Sequence, residues 1–138
     1  MINKISLMLI VFVVPFMLAA YSAQSQESSG NAAISGNWDL VSSNAGYGGA
    51  KFGFGLSLTT DGKAYLETGC NSVQADFETD GHGGIRFSNM VSAIGECGRI
   101  PESEFVGDLM SMTRYWLEGN RLTLRNDRGH ELVFKRQN

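Results

Sequence analysis

The chain has 138 residues, with 11 Lys and Arg against 14 Asp and Glu, for a net charge of −3. That balance argues against nucleic acid or an anionic membrane surface as a partner, because both select a basic excess. Two prolines, 17 glycines and many short alternating runs point to a strand-rich fold with tight turns.

Lys4 is the first charge after the amino terminus and Glu27 the next, and between them lies the apolar run from Ile5 to Ala20. A short cationic start, an apolar stretch and then small residues is the pattern of a secretory signal peptide. Pro15 interrupts the run near its end, as suits a segment approaching a cleavage site. The run is shorter than the roughly 20 residues that a spanning helix needs, so cleavage is expected in preference to an anchor. The sequence thus divides into a signal peptide over 1–25, a polar tether over 26–34 and a domain over 35–138. No cysteine stands at the end of the apolar run, so a lipoprotein is not expected; the expectation is a periplasmic or secreted bacterial protein with no stable membrane span after cleavage.

Asn37–Ser42 alternates and opens the domain as a strand. Phe52, Phe54, Leu56 and Leu58 share one face of the next strand, opposite Gly53, Gly55, Ser57 and Thr59. Asp61-Gly62 is a two-residue hairpin signal that returns the chain through Ala64–Glu67. The same device recurs at Asp80–Gly84, at Gly119-Asn120 and at Asp127–Gly129, each time between arms with apolar residues two apart. One segment departs from this pattern. Phe105, Leu109 and Met112 fall at helical spacing. Pro101, Glu102 and Glu104 suit a helix start, so a helix over about 101–113 is expected. Gly107 stands inside it, at a cost of about 1 kcal/mol relative to alanine, and suggests close approach to a strand.

The two cysteines, Cys70 and Cys97, are expected to form a disulfide in an exported chain. Closing a loop of this length stabilises by about 3 kcal/mol in the chain-entropy model. Cys70 as a nucleophile would need an activating histidine, and His82 and His130 both stand beside glycine-rich turns. Neither pair spacing nor a calcium-loop register around Asp76, Glu78 and Asp80 supports a metal site, because Phe87 stands where a bidentate Glu is required. The glycine-rich stretch Gly46–Gly55 lacks the Gly-Lys-Ser/Thr and the following helix of a phosphate loop. Its aromatic residues Tyr47, Phe52 and Phe54, together with Trp116, are the candidate surface for an apolar ligand. Core packing is the competing reading for the phenylalanines. Trp38 reads as core, whereas Trp116, out of phase with Tyr115 and Leu117, reads as partly exposed.

Trp38-x-Leu40, Gly69-Cys70-Asn71, then Cys97 followed by Glu102-x-x-Phe105-x-x-x-Leu109 resemble the META domain, the HslJ-type family. Tyr115-x-Leu117-x-Gly119-x-x-Leu122-x-Leu124 and Gly129-x-x-Leu132-x-Phe134 extend the resemblance, which runs from about Gly36 to Lys135. It implies an antiparallel meander curled into an incomplete β-barrel around one short helix, an α+β fold that is mainly β. It gives Trp38, Leu40, Gly69, Asn71, Glu102, Phe105 and Leu109 structural roles. It carries no catalytic residues, and associates the family loosely with the envelope and stress tolerance. The sequence departs from the family where Ala93 and Gly95 replace a Thr-x-Met pair ahead of Cys97, and where Ser72 and Val73 follow Gly69-Cys70-Asn71.

The expected function is therefore that of a non-enzymatic envelope protein, without cofactor or metal, that binds a protein partner or a small apolar ligand between helix and sheet. One alternative is an inhibitor of a periplasmic or host hydrolase. Another is a cofactor-independent hydrolase using Asp76, Glu78 and His82.

Overall fold

The computed structural model describes residues 27–45, 53–69, 72–93 and 100–138. Cys70, Cys97, Tyr47, Phe52 and Asn71 lie outside them, and with them the expected disulfide, half of the expected aromatic surface and all of the signal segment.

The element order is α1 (Glu27–Ile34), β1 (Gly36–Ser43), β2 (Gly55–Leu58), β3 (Lys63–Glu67), β4 (Ser72–Thr79), β5 (Ile85–Ala93), α2 (Ile100–Met110), β6 (Arg114–Glu118), β7 (Arg121–Arg125) and β8 (Glu131–Arg136). The strands form one eight-stranded sheet in the order β5-β4-β3-β2-β1-β8-β7-β6, and every pairing is antiparallel. The expected single meander is in fact two, β1 to β5 and β6 to β8, joined in sequence by α2 and in space by β1 against β8. The sheet curls until its edge strands touch at one bridge, Gly84 with Arg114. There Ile85 N donates to Thr113 O at 3.1 Å and Tyr115 N to Gly83 O at 2.8 Å. Mainly β, curled and incomplete, the architecture agrees with the expected fold class.

Alternation explains which side chains go inside. Trp38 and Leu40 of β1, Leu56 and Leu58 of β2, Ala64 and Leu66 of β3, Val73, Ala75 and Phe77 of β4, Leu122 and Leu124 of β7, and Leu132 and Phe134 of β8 are all buried. The Asp61-Gly62 turn is one residue longer than expected. Thr59 N donates to Lys63 O at 2.9 Å, and Gly62 N to Thr59 O at 3.3 Å. Gly62 takes a φ of 87°, the left-handed residue that closes a three-residue hairpin loop.

α2 fills the concave side. Its stripe of Phe105, Leu109 and Met112 is buried as the spacing predicts. Phe105 stacks on Phe54 with centroids 4.8 Å apart and meets Phe134 at 6.5 Å. The helix ends at Met110, and the next two residues form tighter turns, Ser111 N to Asp108 O at 3.0 Å and Met112 N to Leu109 O at 3.2 Å.

The second helix overturns an expectation. The stretch read as a tether folds as α1, with Ile34 wholly buried. An eight-residue helix is marginal alone, so its order comes from what it touches. Trp38 Nε1 donates to Ile34 O at 2.9 Å, and Thr79 Oγ1 to Asn31 Oδ1 at 3.0 Å. Gly30 lies so close to Thr79 that a Cβ there would come within 2.2 Å of its hydroxyl. Polar and small residues form this helix because they permit close approach to β4.

Candidate functional site

The sheet's loose edge makes the site. In β5 the alternation fails after Phe87: Gln74 pairs with Val91 and Asp76 with Ser88, so Asn89 and Met90 together oppose Ala75. This is a β-bulge, and Asn89 adopts a φ of 51° within it, a conformation asparagine tolerates better than most residues. Asn89 Nδ2 donates to Asp76 Oδ2 at 2.8 Å, which braces the bulge from β4. Within it Met90 is 46% exposed, and beyond it Val91 is 69% exposed.

Beside this bulged strand runs the second face of α2. Val73, Met90 and Ser92 from the sheet, with Glu102, Ser103, Val106, Gly107 and Met110 from the helix, line a groove of about 380 Å³. A Cβ built on Gly107 meets nothing within 4 Å. The expected close approach of Gly107 to a strand is thus absent, and the glycine opens onto the groove. Its cost of about 1 kcal/mol in a helix interior has no compensating contact in the packing of the fold. At the groove's end Glu102, buried in the first turn of α2, accepts a hydrogen bond from Thr68 Oγ1.

A larger cleft, about 540 Å³, lies elsewhere, against Glu78, Asp80, Arg86 and Thr113. Its polar walls are already engaged. Glu78 pairs with Arg86, and Thr113 Oγ1 donates to Asp127 Oδ1 at 3.0 Å. Asp80 Oδ1 accepts from His82 N and Gly84 N, each at 2.8 Å, and these two amides hold its carboxyl below the usual range. The hydrolase alternative meets the same difficulty. Asp76 pairs with Lys63 at 2.5 Å, and the hydrogen bonds from Lys63 and then Asn89 hold its carboxyl below the usual range. An acid–base residue needs a pKa near the working pH, so this pairing moves Asp76 the wrong way. The three residues of that alternative each serve a different local contact or, in the case of His82, stand exposed at the turn.

His130 Nδ1 lies 3.0 Å from Asp108 Oδ1. The neighbouring Asn126 is buried, donates to Ser111 Oγ at 3.0 Å and accepts from the amides of Arg128 and His130. This cluster fastens the end of α2 to the β7–β8 turn. Among the described residues no group of three or more potential ligands could hold a metal.

Of the expected aromatic surface, Tyr47 and Phe52 lie outside the described residues. Phe54 is in the core against Phe105. Trp116, 41% exposed, lies on β6 with the Arg125 guanidinium 5.4 Å from its ring centroid. Spacing alone missed Val73, Met90, Ser92, Val106 and Met110. Two signals in the sequence pointed to them: adjacent apolar residues at Met90-Val91, which break a period of two, and a glycine inside a helix.

Residues 32–138 match the META domain. The chain belongs to the META-domain family. The structural motif residues Trp38, Leu40, Phe105 and Leu109 are buried in the core of this META domain. Gly69, with a φ of 83°, ends the strand pair β2–β3 in a conformation that favours glycine.

Two solved structures are similar in fold. One is the NMR structure of a protein from Burkholderia xenovorans, with a TM-score of 0.61 and 18% identity over 80% of this chain and 88% of that one. The other is the crystal structure of a DUF4847 family protein from Bacteroides vulgatus, with a TM-score of 0.62 and 18% identity over 75% of this chain and 95% of that one. No curated protein matches the chain. No helix among the described residues is long and apolar enough to cross a membrane.

Proposed function

We propose that this META-domain protein is an exported, non-enzymatic binding protein of the bacterial envelope, and that it takes an apolar group in the groove between α2 and β5. The observation that carries this reading is Gly107. A helix interior keeps a destabilising glycine over an apolar hollow lined by Val73, Val106 and Met110, where a larger side chain would fill the space. Concave, mainly apolar sites with a few polar groups at the rim are the usual form of small-ligand and side-chain pockets; Ser92, Ser103 and Glu102 supply those polar groups. The export signal in the sequence supports an envelope location.

Titration with anilinonaphthalene sulfonate, a dye whose fluorescence rises in apolar sites, tests the groove. Saturable enhancement is expected for the wild type. Gly107→Leu should abolish it while leaving the thermal unfolding midpoint unchanged or raised, because nothing stands in the way of the new side chain. A Gly107→Leu protein that binds the dye as well as the wild type would sink the reading.

A further inference from the structure

The occupant of the groove can be read from the backbone beside it. β5 is an edge strand of the sheet. Among the described residues, the backbone of Arg86–Ala93 pairs with β4 alone.

The direction of each free group follows from three bonds. Phe77 N donates to Gly62 O, on the β3 side of β4, at 2.8 Å. Asp80 N donates to Gly84 O at 3.2 Å, towards β5. Alternate residues of an antiparallel ladder point their donors and acceptors to opposite sides. Gln74, Asp76 and Glu78 therefore address β5, as do their partners Val91, Ser88 and Arg86 in return. Phe87, between these, points outward, as Ile85 does when it bonds Thr113 across the seam. Past the bulge the residue in that outward phase is Ser92, opposite Val73. Its side chain lines the groove while its N–H and C=O face the free edge.

A strand edge with no partner among the described residues and a helix thus stand on two sides of one apolar hollow. A lipid tail would fill the hollow and leave the edge amides without partners. An extended peptide satisfies both, since main-chain bonds to an edge give affinity and a pocket for an alternate side chain gives selectivity. We propose that the cleft between β5 and α2 takes an extended peptide segment, which adds as a strand to β5 and turns an aliphatic side chain into the groove over Gly107. The buried Glu102 at the groove's end disfavours an acidic residue there. This inference rests on the binding reading above and names its partner class.

The test pans a display library of random octapeptides against the purified protein. An enriched peptide is then synthesised twice, once with natural amides and once with alternate amides N-methylated. Fluorescence anisotropy is expected to show saturable binding of the first form. Each pairing amide blocked should weaken binding by about tenfold, the worth of one hydrogen bond to a desolvated partner. Ser92→Pro removes an outward N–H and leaves the β4–β5 ladder whole. It should lower peptide affinity to a similar degree, with dye binding retained. Gly107→Leu should abolish both.

Equal binding of the methylated and natural peptides, or no enriched peptide while the dye still titrates, overturns strand addition and leaves the groove reading standing. A Ser92 amide as protected from hydrogen exchange in the free protein as the core amides would show the chain itself on that edge, and also overturns it. Failure of the dye as well removes the groove reading.

Discussion

Where β1 meets β8, five residue pairs are matched across a register shift between Leu40 and Ser42, Arg136 lays its guanidinium 4.2 Å from the Trp38 ring centroid, and its Nη1 donates to Ser35 O at 2.7 Å. Where β5 meets β6, one bridge joins the strands among the described residues, and α2 lies across a groove from the rest of β5. The two seams do the same topological work by different means. A strand in the first closes the core and also satisfies its neighbour's backbone. A helix in the second can close the core with Phe105, Leu109 and Met112, but its backbone bonds are internal, so it supplies no strand partner to the edge beside it. Sealing a core and sealing an edge are separate tasks, and along β5 the described residues complete only the first.

Substitutions on the two faces of α2 are the strongest way to break that comparison. Phe105→Ala removes a ring packed between Phe54 and Phe134 and should cost about 3–5 kcal/mol in urea unfolding. Val106→Ala, on the groove face, should cost under about 1 kcal/mol. Equal losses would mean that the groove face is as tightly packed as the core face. A smaller effect of opposite sign is expected at Gly107→Ala, which should stabilise by about 0.5–1 kcal/mol through helix propensity alone. Destabilisation there would show a close contact that the open position excludes.

The smallest effect concerns the brace of the bulge. The Asp76 carboxyl is held below its ordinary value by Lys63 and Asn89. Its contribution is therefore complete above the unfolded carboxylate pKa of about 4 and is lost as the pH falls through the lower folded value. Asp76→Asn should flatten the dependence of the unfolding midpoint on pH below about 4 and leave its dependence above pH 5 unchanged. An unaltered acid limb would remove Asp76 from the bracing of β5.

Much of the sheet was legible in the chain because alternation and turn chemistry are local. Asp80–Gly84, Gly119-Asn120 and Asp127–Gly129 each mark a real hairpin, and Phe105, Leu109 and Met112 mark the buried stripe of α2. The pairing of β1 with β8 was not legible, since it joins the two ends of the domain and leaves no local mark. α1 escaped for a related reason: Gly30 and Asn31 look like linker residues until Thr79 is placed against them. Phe54 was half legible. Its alternation with Leu56 was right, but only the position of Phe105 decides that its ring faces the core. The hollow beside α2 is lined by Met90 and Ser92, which alternation did not mark, because a bulge at Asn89 resets which side chains of β5 face inward.

The pairing of the first strand with the last also governs timing. β1 finds β2 early, but its other neighbour is β8, and Gln137 N closes the pair by donating to Asn37 O at 2.9 Å. Contacts so distant in sequence form late, after the loop-closure cost has been met. During synthesis the barrel cannot finish before β8 has been added, so the nascent domain stays open while the earlier strands are made. For a chain proposed to cross a membrane before folding, that delay is an advantage: the strand that completes the fold follows all the others.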